Sequence, residues 1–184
     1  MPAKKESGIT RKAIGVLTVL LVIFILIMMR LVSGIQGTAR VVNYAGLVRG
    51  GTQRWIKMEI TGNPRDKMME AVESYIDGLQ NGSEDLGLVR LKDAKYQAKV
   101  EEQKEYFQKL KEEVQHVRES GYYNTNIIED SETFFKICDD ATGLAEAYSQ
   151  RKASQLDILE KVVSQGLAKP AGSKQFSVAG KTGT

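Results

Sequence analysis

Residues 13–33 read AIGVLTVLLVIFILIMMRLVS, and no charged residue occurs between Ala13 and Met29. A helix needs about 20 mostly apolar residues to cross the hydrocarbon core of a bilayer. Arg30 lies near the end of the run, where a long basic side chain can extend to the interface. The apolar run exceeds the roughly 7–15 residues of a signal peptide and lacks its small-residue cleavage pattern. The stretch therefore predicts an uncleaved transmembrane helix.

Basic residues are concentrated on the N-terminal side of this helix, at Lys4, Lys5, Arg11 and Lys12. Only Arg30 and Arg40 follow it closely. This excess predicts a single-pass protein of the cytoplasmic (inner) membrane, with residues 1–12 inside and the remainder outside. With Glu6, the N-terminal tip accounts for the formal net charge of +3, so the rest of the chain is neutral. We therefore expect contact with the lipid bilayer and no nucleic-acid partner.

The segment after the membrane helix carries two stripes at helical spacing. Such spacing is typical of a helix packed in a bundle. The first stripe comprises Val41, Tyr44, Val48, Gly51, Trp55 and Met58. The second comprises Val42, Gly46, Arg49, Gln53, Ile56 and Ile60. Two stripes on one helix predict that one side packs within the bundle and the other against a partner subunit.

Three further amphipathic segments complete the predicted fold. Asn63 as N-cap and Pro64 as first residue predict a second helix that ends at Asn81-Gly82. Asp93 is the predicted cap of a long third helix, which ends at Gly121. Its core positions are Val100, Gln103, Phe107, Leu110, Val114 and Val117.

Asp130 or Ser131 is the predicted cap of a fourth helix, which fades near Gln165-Gly166. Its predicted core side comprises Phe134, Phe135, Cys138, Ala145, Tyr148, Leu156 and Leu159. The expected fold is therefore all-α: a transmembrane helix, residues 13–33, that continues into an antiparallel four-helix bundle, residues 36–165.

The chain offers little catalytic chemistry. Cys138 is its only cysteine and cannot form an intramolecular disulfide. His116 is its only histidine and falls on the predicted solvent side of the third helix. The glutamates of that helix alternate with lysines, as on a solvated surface. We therefore expect no enzyme activity, no metal and no cofactor.

Polar residues are interleaved with core positions in residues 42–54, VNYAGLVRGGTQR. This stretch resembles the Asn-x-Ala-Gly-x-x-Arg-x-x-Ser/Thr-Gln-Arg helix that opens the extracytoplasmic four-helix sensor domains of nitrate/nitrite sensor kinases and type IV pili methyl-accepting chemotaxis-like proteins. The matching residues are Asn43, Ala45, Gly46, Arg49, Thr52, Gln53 and Arg54. More loosely, the resemblance covers residues 13–152. Gly50-Gly51 departs from it, because larger apolar residues are usual there.

The resemblance implies a signal-transduction input domain that reports to a histidine kinase in a two-component system, a chemoreceptor module or a diguanylate cyclase. The second membrane helix and the output module of those proteins are missing, so we expect a truncated chain.

We predict a homodimer through the first bundle helix. Arg49, with Asn43, Gln53 and Arg54, is the predicted site for a small anionic ligand between two subunits. An anion would relieve the repulsion of two facing guanidinium groups. Alternatively, Arg49 pairs with a carboxylate such as Glu59 or Glu73.

The C-terminal residues 159–184, LEKVVSQGLAKPAGSKQFSVAGKTGT, resemble the Lys-Thr-Gly segment of penicillin-binding transpeptidases, matched by Lys181, Thr182 and Gly183. Those enzymes also need a Ser-x-x-Lys nucleophile far upstream and a Ser-x-Asn element. Ser149 and Lys152 have the first spacing, but the sequence contains no Ser-x-Asn. We expect residues 166–184 to be an irregular tail from a truncated or joined reading frame. A transpeptidase fragment and a ligand-free membrane-tethered helical adaptor remain the alternatives.

Overall fold

The computed structural model describes residues 3–166, which are almost entirely helical. In this part of the chain, α1 spans Ala3–Ile60, α2 Asp66–Asn81, α3 Ala94–Ser120 and α4 Ile127–Gly166. A single 3-10 turn, Tyr122–Asn124, precedes α4. The described residues form no strand beyond an isolated bridge between Ser83 and Leu88. The all-α prediction is confirmed, whereas nearly all of the predicted tail lies outside the described residues.

Helix α1 joins the apolar N-terminal segment to the helical domain without a break. Its apolar portion is long enough to cross a membrane and is not covered by any other described part of the chain. The large side chains from Ile14 to Ile27 are exposed, including Leu17 at 68%. The helix becomes part of a packed core only from Thr38 onward, where buried residues first occur.

Aromatic side chains form the centre of the core. The ring centroids of Trp55 and Phe107 lie 5.6 Å apart, and those of Phe107 and Phe134 lie 5.8 Å apart. These three fully buried residues come from α1, α3 and α4, so one cluster joins three helices. Tyr44 of α1 meets Tyr75 of α2 edge to face at 5.0 Å. The six predicted core positions of α3 are all buried, which confirms its predicted inner face.

Three polar contacts define how α4 lies along α1. The hydroxyl oxygens of Thr38 and Ser149 are 3.1 Å apart. Further along α1, Arg49 forms an ion pair with Asp139. Then Gln53 donates from Nε2 to the Ser131 carbonyl oxygen at 3.1 Å. Residues of the second stripe thus contact α4 of the same subunit.

The beginning of α2 differs from the prediction. Asn63 is not its N-cap: the helix begins at Asp66, after Arg65. Instead, the Asn63 amide donates to the Met58 carbonyl at 2.9 Å, and the Gly62 amide donates to the Glu59 carbonyl at 3.0 Å. Gly62 has a φ of 73°. This pair of bonds is a Schellman motif, so Asn63 terminates α1 rather than starting α2.

The two other predicted caps have different outcomes. The Asp93 side chain accepts from the Tyr96 amide at 3.1 Å, which confirms the cap of α3. Neither Asp130 nor Ser131 caps α4, because that helix already begins at Ile127. The Asp130 carboxylate instead accepts from Lys109 Nζ at 2.6 Å and from the Tyr106 hydroxyl at 2.8 Å. The Asp130 side chain, predicted as a cap of α4, therefore makes a tertiary contact with α3 instead.

Candidate functional site

Arg49 lies at the border between α1 and α4. Its guanidinium forms an ion pair with the Asp139 carboxylate and lies over the Phe135 ring, 5.5 Å from the centroid. The Arg49 side chain is 36% exposed and that of Asp139 is 61% exposed. The pair is thus open to solvent on one side and rests against an aromatic ring on the other. The guanidinium of Arg49 is therefore accessible to a dissolved anion.

The other three predicted ligand residues do not gather around Arg49 within one subunit. Gln53 is half-buried and bonded to the backbone of α4. Asn43 and Arg54 lie on the exposed side of α1, turned away from α4. Helical geometry explains the separation, because successive residues are rotated by about 100° around the axis. A site that used all four side chains would need a second copy of the helix.

Glu59 and Glu73, the two carboxylates suggested as partners of Arg49, bind other cations. Glu59 lies on α1 itself, about 15 Å further along the axis than Arg49, and pairs with Arg118 of α3 at 2.7 Å. Glu73 of α2 pairs with Lys111 at 2.8 Å. Arg49 thus does pair with a carboxylate, as the alternative prediction stated, but the partner is Asp139 and neither Glu59 nor Glu73. Asp139 and Phe135 are the residues that sequence reasoning missed, since nothing in the local sequence indicates a contact across 90 positions.

The α1 surface beside Arg49 has open space. A Cβ atom added to Gly46 or Gly50 would have no heavy atom within 4 Å. Leu47, between these glycines in sequence, is 44% exposed. The backbone of α1 is therefore accessible at these two glycines.

Several side chains have potential for catalysis, and the structure shows their surroundings. Ser149 contacts Thr38, while Lys152 Nζ lies 5.7 Å from the centroid of the Tyr148 ring. His116 is exposed, as predicted, with Nδ1 3.6 Å from Glu113. Burial raises the pKa of the Cys138 thiol to about 12, despite the amide that Gln103 donates at 3.0 Å. At neutral pH this sulfur is therefore a thiol, which is a poor nucleophile.

Comparison of this chain with protein-family models, curated proteins and solved structures finds no match.

Proposed function

We propose that this chain is the extracytoplasmic input domain of a bacterial membrane signal-transduction protein, with a binding role and no catalytic one. The observation that carries the proposal is the continuity of α1, Ala3–Ile60. One uninterrupted helix carries both the apolar segment and Arg49. A change in how Arg49 is held would therefore be transmitted along a rigid element towards the membrane.

In this proposal, the helical domain is an antiparallel four-helix bundle outside the cytoplasm. The contacts of α1 support this arrangement, because Thr38, Arg49 and Gln53 meet progressively earlier residues of α4. The basic residues before the apolar segment favour an N-terminus inside the cell. The ligand site then lies on the outer side, within reach of small anions in the surroundings.

An exchange of anions at Arg49 is the proposed switching event. Exposed ion pairs contribute only about 0–1 kcal/mol, since solvent and salt screen them. Arg49 and Asp139 form such a pair, so a ligand anion between two Arg49 side chains can replace Asp139 at low cost. Release of Asp139 would loosen α4 against α1. The ligand would thereby favour one of two helix arrangements, as population shift requires.

Titration of the full chain in neutral detergent with small inorganic anions, followed by calorimetry, tests this function. Nitrate and nitrite are the first anions to use, given the sequence resemblance. We expect Arg49→Ala to lose about 1.5–3 kcal/mol of binding free energy, the worth of a charge-assisted hydrogen bond. Lys57→Ala is the matched control, because Lys57 is an exposed cation on the same helix. Equal binding by Arg49→Ala and the unsubstituted chain would remove Arg49 from the site.

A further inference from the structure

A cavity lies where the helical domain meets the apolar part of α1. Its volume is about 290 Å³, and its walls come from α1, from the loop between α2 and α3, and from α4. On α1 the lining starts at Arg30 and Leu31, where the uninterrupted apolar run ends. The cavity does not include Arg49 and is separate from the proposed anion site.

The loop that covers this cavity is held tightly against α1. A Cβ atom at Gly37 would lie 3.0 Å from Val89 Cγ2, so the loop packs directly on the helix backbone. Gly87, with a φ of 61°, lies so close to the Arg40 guanidinium that a Cβ atom there would collide with it. Leu91 of the same loop is 2% exposed. The cavity is therefore preformed.

Four basic residues line the cavity: Arg30, Arg90, Lys92 and Lys152. Within residues 3–166, none of the four forms an ion pair with a carboxylate. Asp93, which follows Lys92, is held by Arg151 at 2.8 Å. Elsewhere in the described domain some basic residues, such as Lys104 and Arg118, are paired, and others, such as Lys57, are single exposed charges. The cavity thus concentrates positive charge that the rest of the protein does not neutralise.

Apolar side chains adjoin this charge. Leu31 and Ile35 of α1 line the cavity together with Val89 of the loop, which is 43% exposed. Cations beside apolar groups suit a ligand that is anionic at one end and apolar at the other. The end of a membrane helix is also the level at which phospholipid phosphates lie.

We propose that this cavity binds a phosphate group, supplied by the head group of an anionic phospholipid. Arg30, Arg90, Lys92 and Lys152 contact the phosphate, while Leu31 and Val89 contact the upper part of the acyl chains. The lipid source rests on the membrane anchoring in the proposed function; the phosphate site itself rests on the cavity and its charge. Such a site fixes the height of the loop and of α4 relative to the bilayer.

Calorimetric titration of the full chain in neutral detergent with dihexanoyl phosphatidylglycerol tests the site. The test variant is Arg90→Gln with Lys92→Gln. We expect it to raise the Kd about 25-fold, because each basic residue near an anionic head group contributes roughly fivefold. The matched control is Lys57→Gln with Lys67→Gln, which removes two exposed charges distant from the cavity and should leave the Kd unchanged. Lys152→Gln, on α4, should raise the Kd about fivefold. Because this substitution leaves the loop unchanged, misfolding of the loop cannot explain its effect.

Two further probes separate the sources of phosphate. Dihexanoyl phosphatidylcholine carries the same phosphate together with a cationic choline group, so it should bind more weakly than dihexanoyl phosphatidylglycerol. Glycerol 1-phosphate should bind at least about tenfold more weakly than the lipid, because it lacks acyl chains to bury. Equal binding of glycerol 1-phosphate and the lipid would overturn the lipid source. Equal weakening by the test and control pairs would overturn the site altogether.

Failure of this inference is distinguishable from failure of the proposed function. Release of the chain from cell membranes by alkaline carbonate would contradict membrane anchoring and with it the lipid source. The glycerol 1-phosphate titration in detergent still tests the phosphate site, because it does not depend on anchoring. Conversely, loss of the cavity site leaves the nitrate titration and the Arg49→Ala comparison unaffected.

Discussion

Glu59 is a buried carboxylate whose side chain is 1% exposed. It accepts hydrogen bonds from the Trp55 indole at 2.9 Å and from Arg118 Nε and Nη2 at 2.9 and 2.7 Å. Burial alone would raise its pKa. The bonds from Arg118, the Arg65 amide and Trp55 together outweigh burial, so the pKa of Glu59 lies below its ordinary value of 4.5. The charged form thus ties the end of α1 to α3.

Replacement of Glu59 by Gln should lower the free energy of unfolding by about 2 kcal/mol at pH 7, because hydrogen bonds to a charged acceptor are lost. A depressed folded-state pKa stabilises the fold above the unfolded-state pKa, and this contribution disappears as the pH falls through the lower folded-state value. The difference between Glu59→Gln and the unsubstituted chain should therefore shrink from about pH 4.5 downward. Urea unfolding in detergent, followed by circular dichroism between pH 7 and pH 3, measures this difference in the free energy of unfolding.

The control for this prediction is Glu70→Gln. Glu70 is an exposed carboxylate of α2 with no ion pair among residues 3–166, so its replacement should change stability little at any pH. A constant difference between Glu59→Gln and the unsubstituted chain across this pH range would contradict the role given to the charged carboxylate.

Single-residue pairings were the least predictable features from sequence. The motif identified Arg49 as a basic residue beside the core, and the structure places it there, paired with a carboxylate. The partner of Arg49 is nevertheless Asp139, because the register of α4 against α1 determines which carboxylate lies next to Arg49. That register depends on the packing of large side chains such as Phe134 and Trp55, which a helical pattern does not specify. The ligand role of Arg49 stays a prediction.

At the scale of elements, the inner faces of the helices were predictable and two of their starts were not. Periodicity alone identified the buried face of α3, from Val100 to Val117. The predicted starts of α2 and α4 were wrong because several polar side chains in each connection can act as caps. Asn63 is used to terminate α1, and Asp130 is used to bind Lys109. Local rules cannot choose between a cap and a tertiary contact.

At Gly51, α1 packs closely against α2. A Cβ atom there would lie 2.9 Å from Cγ2 of Val72, whose side chain is 1% exposed, so an added methyl group would force a shift in the core. Overpacking of this kind costs about 1–3 kcal/mol. The departure from the sensor-domain pattern at Gly50-Gly51 thus has a packing reason at its second glycine.

We expect Gly51→Ala to unfold at lower urea concentration than Gly143→Ala. Gly143 lies on the exposed side of α4, and a Cβ atom there would meet nothing within 4 Å. Alanine at that position should stabilise the helix by up to about 1 kcal/mol. At Gly51 the gain in helix propensity is offset by the collision with Val72. The free energies of unfolding of the two variants should therefore differ by about 2 kcal/mol. Equal midpoints would mean that α1 and α2 separate more easily than their contact suggests.

For the whole molecule, the first prediction concerns topology. We predict that alkaline phosphatase fused after Thr184 is active, because basic residues before an apolar segment favour an N-terminus inside the cell. Green fluorescent protein at the same place, exported through the same route, should not fluoresce. Deletion of residues 13–33 should reverse both results, since the fusion would then stay in the cytoplasm. Fluorescence of the full-length fusion would contradict an extracytoplasmic domain.

The exposed side of α1 offers a surface for a second copy. Asn43, Leu47, Gly50 and Arg54 recur along it at alternating intervals of four and three residues, the spacing of a helix–helix seam. Helices that cross the same membrane in the same direction lie parallel, so the seams of two copies would face each other. The open space at Gly46 and Gly50 then permits close contact, and Arg49 lies beside the seam rather than on it.

Leu47→Glu should therefore abolish dimerisation of a soluble segment of residues 36–165 while its helical circular dichroism spectrum stays unchanged. Leu47 is 44% exposed in one subunit, so the substitution disturbs little of the core. In a parallel pair, however, it places two carboxylates opposite each other and removes the largest apolar contact of the seam. Ile128→Glu is the matched control, because Ile128 is 55% exposed at the start of α4, away from the seam. Sedimentation equilibrium should show a dimer for the unsubstituted segment and for Ile128→Glu, and a monomer for Leu47→Glu. If Leu47→Glu dimerises as well as the control, the subunits do not meet through the seam of Asn43, Leu47, Gly50 and Arg54.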